Sequence, residues 1–161
     1  MPLDRHAQRL IELALDEDLG PGDVTSALLP PLLPGRAQFT ARERMTVAGT
    51  EAAEHVFARV DGDVRVCFLQ GDGAKVDPGA RIGVVEGPAR SILTAERLAL
   101  NLLQRLSGIA THAAEAQARV GAHRAKIVDT RKTTPGLRSL EKAAVVAGGA
   151  RNPRMGLFDG V

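Results

Sequence analysis

The 161 residues predict an α+β domain that leads into the start of an α/β unit, and three observations carry that reading. Helical spacing and short alternating strands are interleaved over roughly the first 110 residues. A long helical run occupies 92–120. A strand-like KIVDT at 126–130 then passes through a Pro-Gly turn into a second helical stretch at 139–150.

Each element has a local reason. In DRHAQRLIELALDEDLG, Asp4 is the expected N-cap, Ala7, Leu10, Ile11, Leu13 and Ala14 the apolar face, and Gly20 the stop. PGDVTS reads as a turn and PPLLPG (30–35) as a proline-stiffened connector. RAQFTAR alternates as a half-buried strand does, and TEAAEHVFARV (50–60) has helical spacing with Thr50 as its expected cap. From 63 onward Val64, Val66 and Phe68 share one face, and Gly-Asp, Asp-Pro-Gly and Gly-Pro mark turns of a compact antiparallel section. Leu98, Leu102, Leu106 and Ile109 form the stripe of the long helix, with Gly108 its weak point; Gly148 and Gly149 close the last helix. About 40 residues follow the strand at 126, against roughly 250 for a closed (β/α)₈ barrel, so the α/β unit is expected to be unfinished at Val161.

Composition narrows the function classes. Hydrophobic residues make up 44% and charged residues 25%, the balance of an ordinary globular protein. Four Phe with no Trp or Tyr leave no platform for stacking bases, and 21 basic against 19 acidic residues give too small an excess to call for a polyanion, so no nucleic-acid partner is expected. Cys67 stands alone, which removes disulfides and zinc-ligand spacing; a small buried strand residue is expected there. No apolar run reaches the roughly 18 residues of a membrane helix and no signal segment is seen, so the expectation is a cytoplasmic protein without a membrane partner.

The chemistry concentrates in KIVDTRKTTPG (126–136). Arg131 and Lys132 stand side by side at the C-terminal end of a strand, where α/β folds gather ligand groups. Arg presents a planar fork to a carboxylate or phosphate while Lys is a compact charge, so the pair suits a ligand with two anionic groups. Thr130, Thr133 and Thr134 add hydroxyls. The alternative is a solvated loop in which Asp129 neutralises a neighbour. Arg97 lies in an otherwise apolar helix beside Glu96, either as a surface ion pair or as a site cation. Arg154, and with it Arg151, sits in the glycine-flanked loop GGARNPRMG. His6, His55, His112 and His123 share no metal or triad spacing, and no GxSxG, HExxH or Walker motif occurs.

NLLQRLSGIAT, VDTRKTTPGLRSLEKAAV and GGARNPRMGLFDGV, in this order and spacing, closely resemble the quinolinate phosphoribosyltransferase family, also called nicotinate-nucleotide pyrophosphorylase. LDEDLGPGDVTS is similar to that family's N-terminal signature, so the resemblance spans nearly the whole chain. Molybdenum-transport-associated proteins of the same fold share DTRKT and are the alternative family; PGLR-x-LEK-x-AV favours the biosynthetic one.

The resemblance implies an N-terminal open α/β sandwich over 1–110, including part of the linking helix, and over 111–161 the beginning of an atypical α/β barrel, incomplete in this chain. It implies transfer of a phosphoribosyl group from phosphoribosyl pyrophosphate to quinolinate with loss of CO₂, giving nicotinate mononucleotide for NAD synthesis, in a homodimer or higher homo-oligomer. Mg²⁺ is expected with the donor, its ligands outside this chain. By the same resemblance Arg131 and Arg154 bind quinolinate carboxylates, Arg97 reaches across from the other subunit, Lys132 is the catalytic residue near the donor, and Thr130 lines its loop. The family reads Asn-His-Arg where this chain has Asn152-Pro153-Arg154, and it continues into a strand with a further substrate Lys and metal-binding acids. The chain alone is therefore expected to be inactive, either part of such an enzyme or a non-catalytic dimerising or anion-binding remnant of it.

Overall fold

The computed structural model describes residues 3–159. Helix α1 (Arg5–Leu19) opens with the Asp4 carboxylate accepting the Ala7 N–H at 2.7 Å and ends at Gly20. Its buried stripe is Ala7, Ile11 and Leu15, an i, i+4, i+8 row, and Leu13 points to solvent. After a 3₁₀ turn at Ser26–Leu28 come strands β1 (Pro34–Thr40) and β2 (Met45–Thr46), helix α2 (Thr50–Val60), and strands β3 (Arg65–Phe68), β4 (Lys75–Val76) and β5 (Arg81–Pro88). Helix α3 (Ala89–Val120) and helix α4 (Arg138–Ala147) complete the order.

The strands form an antiparallel sheet ordered β1-β5-β3, with Phe39 opposite Gly83 and Val66 opposite Val85, and a separate β2-β4 pair. Phe39 is the buried residue of β1; its ring stacks on Phe68 at 5.3 Å and meets Phe57 of α2 edge-on at 6.1 Å. Cys67 is exposed. The two-residue period that turns Val66 and Phe68 toward the core puts Cys67 on the outer face, which corrects the expectation of burial.

Thr50 is the first helical residue of α2 rather than its cap. Gly49 precedes it at φ 91°, where a Cβ would stand 2.6 Å from the Leu106 side chain. The Thr50 hydroxyl donates to Asp72 at 2.7 Å instead.

Helix α3 is about 48 Å long at 1.5 Å per residue and runs through Gly108 without a break. It serves as the axle of the fold. Ser107, fully buried, accepts the Ala48 N–H at 3.0 Å and donates to the Ala48 carbonyl at 3.2 Å, which satisfies backbone that neither a helix nor a strand supplies. Leu102, Leu103 and Leu106 are buried in the core, whereas Leu98 and Ile109 are half-buried. Farther along, α4 packs on the same helix so closely at Gly148 that a side chain there would collide with the Ala110 carbonyl and the Ala113 methyl.

Residues 126–130 form no extended strand. Among the described residues they make one parallel bridge, Val128 with Arg151, closed by Asp129 N–H to the Arg151 carbonyl (3.0 Å) and Arg151 N–H to the Ile127 carbonyl (3.1 Å). A ladder needs a neighbour along its length, and here the neighbour runs alongside for a single residue pair.

Candidate functional site

The bridge at Val128 and Arg151 sets two loops side by side: 129–136, with Thr130, Arg131 and Lys132, and 151–156, with Arg154. Helix α4 holds both. The Lys142 ammonium pairs with the Asp129 carboxylate, their side chains 1% and 4% exposed. The Lys142 carbonyl accepts from Asn152 Nδ2 at 3.1 Å. Arg138 donates to Thr133 Oγ1 at 3.2 Å and to the Arg131 carbonyl at 3.4 Å. Glu141 Oε2 accepts the Thr134 N–H at 3.2 Å, while Oε1 takes the Arg105 guanidinium of α3 at 2.5 Å.

This arrangement decides the electrostatics of the loop. Residues 121–159 carry eight Lys and Arg against three Asp and Glu. Asp129 is committed to Lys142, Glu141 to Arg105, and Asp159 accepts the Met155 N–H at 2.9 Å. Asp129 thus does neutralise a neighbour, but that neighbour is Lys142 on α4 rather than Arg131 or Lys132. Among the described residues Arg131, Lys132 and Arg154 have no acidic partner within ion-pair distance.

Burial pushes the Glu141 carboxyl up, but the Arg105 hydrogen bonds, the Thr134 hydroxyl and N–H, and the Arg105 charge together hold it below the usual carboxylate range. It therefore remains an anion locked to its own cation.

Arg131 is half-buried, and its Nε is enclosed by protein with no hydrogen-bond acceptor. A buried guanidinium N–H without an acceptor costs free energy, and the same half-buried guanidinium has no acid paired with it among the described residues. Lys132 is exposed, and its backbone N–H is held at 3.0 Å by the Thr130 hydroxyl in a local turn. Arg154 is half-buried and donates Nε–H to the Gly156 carbonyl at 3.2 Å. Pro153 is exposed, as is Arg151, whose backbone makes the bridge.

Arg97 lies apart. It is exposed on α3 and lines an open groove of about 590 Å³ with Asp23, Thr94, Asn101 and Gln104, to which no residue beyond 104 contributes. No ion pair joins it to Glu96 among the described residues; consecutive helical positions diverge by about 100°. A larger groove of about 930 Å³, between β1, β2 and α3, likewise excludes the cationic loops. The cationic loops thus lie outside both grooves.

Asp23 organises the wall of the Arg97 groove. Its carboxylate accepts from the Ser26 hydroxyl and N–H, the Thr94 hydroxyl and the Thr25 N–H; together these outweigh the opposing effect of burial and lower its pKa from 3.8 to about 2. The folded value is depressed, so this tie is fully present above pH 3.8 and is lost as pH falls through about 2. A carbon-13 titration is expected to find Asp23 ionised at pH 3, and Thr94→Val to move its midpoint upward. A wild-type midpoint at the ordinary aspartate value would refute the role.

Sequence reasoning missed the Asp129–Lys142 and Arg105–Glu141 pairs. The available signal was the adjacent Glu-Lys in an otherwise apolar short helix, LEKAAVVA, whose two charges are buried. Among the described residues no group of three or more His, Cys, Asp or Glu is placed to hold a metal ion, and no helix is long and apolar enough to cross a membrane.

Comparison with known proteins adds a family. Residues 23–107 match the profile of the quinolinate phosphoribosyl transferase N-terminal domain and residues 109–161 that of its C-terminal domain. The chain is 49% identical over 152 residues to quinolinate phosphoribosyltransferase [decarboxylating] 1 of Nicotiana glauca, an alignment covering 93% of this chain and 43% of that protein. The solved nicotinate-nucleotide pyrophosphorylase of Francisella tularensis is similar at TM-score 0.91 and 40% identity, over 96% of this chain and 55% of that one. The Ehrlichia chaffeensis pyrophosphorylase gives 0.91 and 34%, over 100% and 58%. The chain thus spans about half the length of the relatives it matches. The similarity over 55–58% of these longer chains accords with the α+β region and incomplete barrel expected from the sequence.

Proposed function

The chain belongs to the quinolinate phosphoribosyltransferase family, and from that premise we propose that its cationic loops form the dicarboxylate-binding part of an enzyme that makes nicotinate mononucleotide. The observation that carries the reading is Arg131, half-buried with an unpartnered Nε, in a loop whose nearby acids are already committed to other cations. Quinolinate offers two carboxylates; Arg131 and Arg154 on adjacent loops each present a guanidinium to one of them.

In the proposed reaction the ring nitrogen's lone pair forms a bond to the sugar's anomeric carbon of phosphoribosyl pyrophosphate, and pyrophosphate departs with the electrons of the broken C–O bond. The carboxylate next to the nitrogen then leaves as CO₂; its electron pair stays on the ring carbon, which takes a proton. Fixed cations serve this sequence twice. They hold the nitrogen in line with the sugar, and they stabilise charge that shifts as the bonds change. Lys132, exposed next to Arg131, is assigned to the donor side and the reacting centre, with Thr130 shaping its turn.

Arg97, remote from these loops within one chain, is assigned to the site of a second copy in a homodimer. Mg²⁺ accompanies the donor, but the described residues do not fit it, since Asp129 and Glu141 are already occupied by cations. An exposed lone Cys67 accords with a reducing cytoplasm.

The test grafts residues 1–161 in place of the matching part of the Francisella tularensis protein. The chimera is expected to make nicotinate mononucleotide, and Arg131→Ala to raise KM for quinolinate roughly 10- to 150-fold, the equivalent of one charged hydrogen bond. A folded chimera without product, or an Arg131→Ala variant with unchanged KM, would overturn the assignment.

A further inference from the structure

Loop 129–136 has little of its own to hold its shape. Thr130, Lys132, Thr134, Pro135 and Gly136 are exposed, and no regular secondary structure covers them. Most of its ties come from α4, through Lys142, Arg138 and Glu141. Helix α4 is itself anchored by packing, through Leu140 and Ala144 in the core and by close approach to α3 at Gly148. Two side chains from elsewhere add polar ties to the loop end: His6 of α1, whose Nε2 lies 3.0 Å from the Gly136 carbonyl, and Arg105 of α3.

Arg105 makes the more extensive tie. Its Nε and Nη2 donate to Glu141 Oε1 at 3.1 and 2.5 Å, and Nη2 also reaches the Thr134 hydroxyl. One guanidinium thus joins the rigid axle helix, the helix that holds the loop, and the loop itself. A Lys in its place would keep the charge but could not reproduce the planar fork.

We propose that Arg105, acting through Glu141 and Thr134, is a positioning residue that sets where Arg131 and Lys132 stand relative to α3. The identity of the ligand rests on the function proposed above; the ordering of the loop does not.

The test uses the 161-residue chain with Arg105→Lys, Arg105→Met, and the double variant Arg105→Met/Glu141→Leu. Hydrogen exchange at the Thr134 amide, which donates to Glu141, reports loop order without any ligand. Arg105→Met is expected to speed that exchange by about tenfold or more and to weaken quinolinate binding by a similar factor, with Arg105→Lys intermediate. The double variant separates positioning from mere packing. Replacing both partners by apolar groups should return Tm close to the parent value, because no charge is left unpaired, while quinolinate affinity and exchange at the Leu137 amide, which donates to the Thr134 carbonyl at 3.0 Å and keeps that acceptor in this variant, stay impaired.

A double variant restored in all three readouts would reduce the pair to a stability device and overturn the proposal. Unchanged Thr134 exchange in Arg105→Met would do the same. If the parent chain does not bind quinolinate, the ligand assignment fails, and the exchange data still decide the role of Arg105.

Discussion

Lys142→Ala is expected to cost about 3–5 kcal/mol of folding stability, the usual consequence of stranding one member of a buried ion pair. Asp129 is 4% exposed on its side chain, and the Lys142 ammonium is the cation that meets it. The loss is large against the roughly 5–15 kcal/mol by which domains are stable. It would fall on the 129–136 loop, because the Lys142 side chain pins Asp129 there, while the Asn152 tie is made by the Lys142 carbonyl and survives the substitution.

Denaturant midpoints of Lys142→Ala, Asp129→Asn and the double variant Lys142→Met/Asp129→Leu test this. The apolar pair should recover most of the loss seen in Lys142→Ala, since the penalty lies in the unpaired charge and not in the lost attraction. A Lys142→Ala midpoint within the range of an exposed ion pair, about 0–1 kcal/mol, would show that Asp129 finds water or another partner.

Two inactive chimeras, one with Arg97→Ala and the other with Lys132→Ala, are expected to regain activity when mixed. Each alone should lose product formation by roughly two orders of magnitude or more, because a charge-assisted contact to substrate is removed from every site. In a mixed dimer one site would combine Arg97 of one chain with Lys132 of the other. The geometry favours this test over a single-chain account: Arg97 is exposed in a groove lined only by residues 18–104, with the cationic loops outside it. Co-purification of differently tagged chains establishes that mixed dimers form. Mixed dimers without activity would return Arg97 to an ordinary surface role.

Much of the fold was legible because its signals are local. Asp4 as N-cap and Gly20 as stop follow from which residue types satisfy or end a helix. Period-two alternation marked β3 and its turns, although the burial expected for Cys67 ignored the very alternation that put Val66 and Phe68 inside. The strand at 126–130 was overestimated. An apolar, β-branched run states a preference, but a strand exists only where a neighbour pairs with it, and Arg151 alone does so here.

For the candidate site, the sequence by itself determined which residues are available: adjacent Arg131 and Lys132, a second Arg at 154, and a pattern continuous enough to show the family. Tertiary structure decided which of those charges are free. Asp129 is two residues from Arg131 in the chain yet spends its charge on Lys142, thirteen residues on, and Glu141 spends its own on Arg105, thirty-six residues back. The reason is that charge pairing is settled by proximity and burial in space. Once a helix carries a Lys and a Glu into the interior, their desolvation demands partners, and the partners they take leave Arg131 and Lys132 open to an anionic ligand.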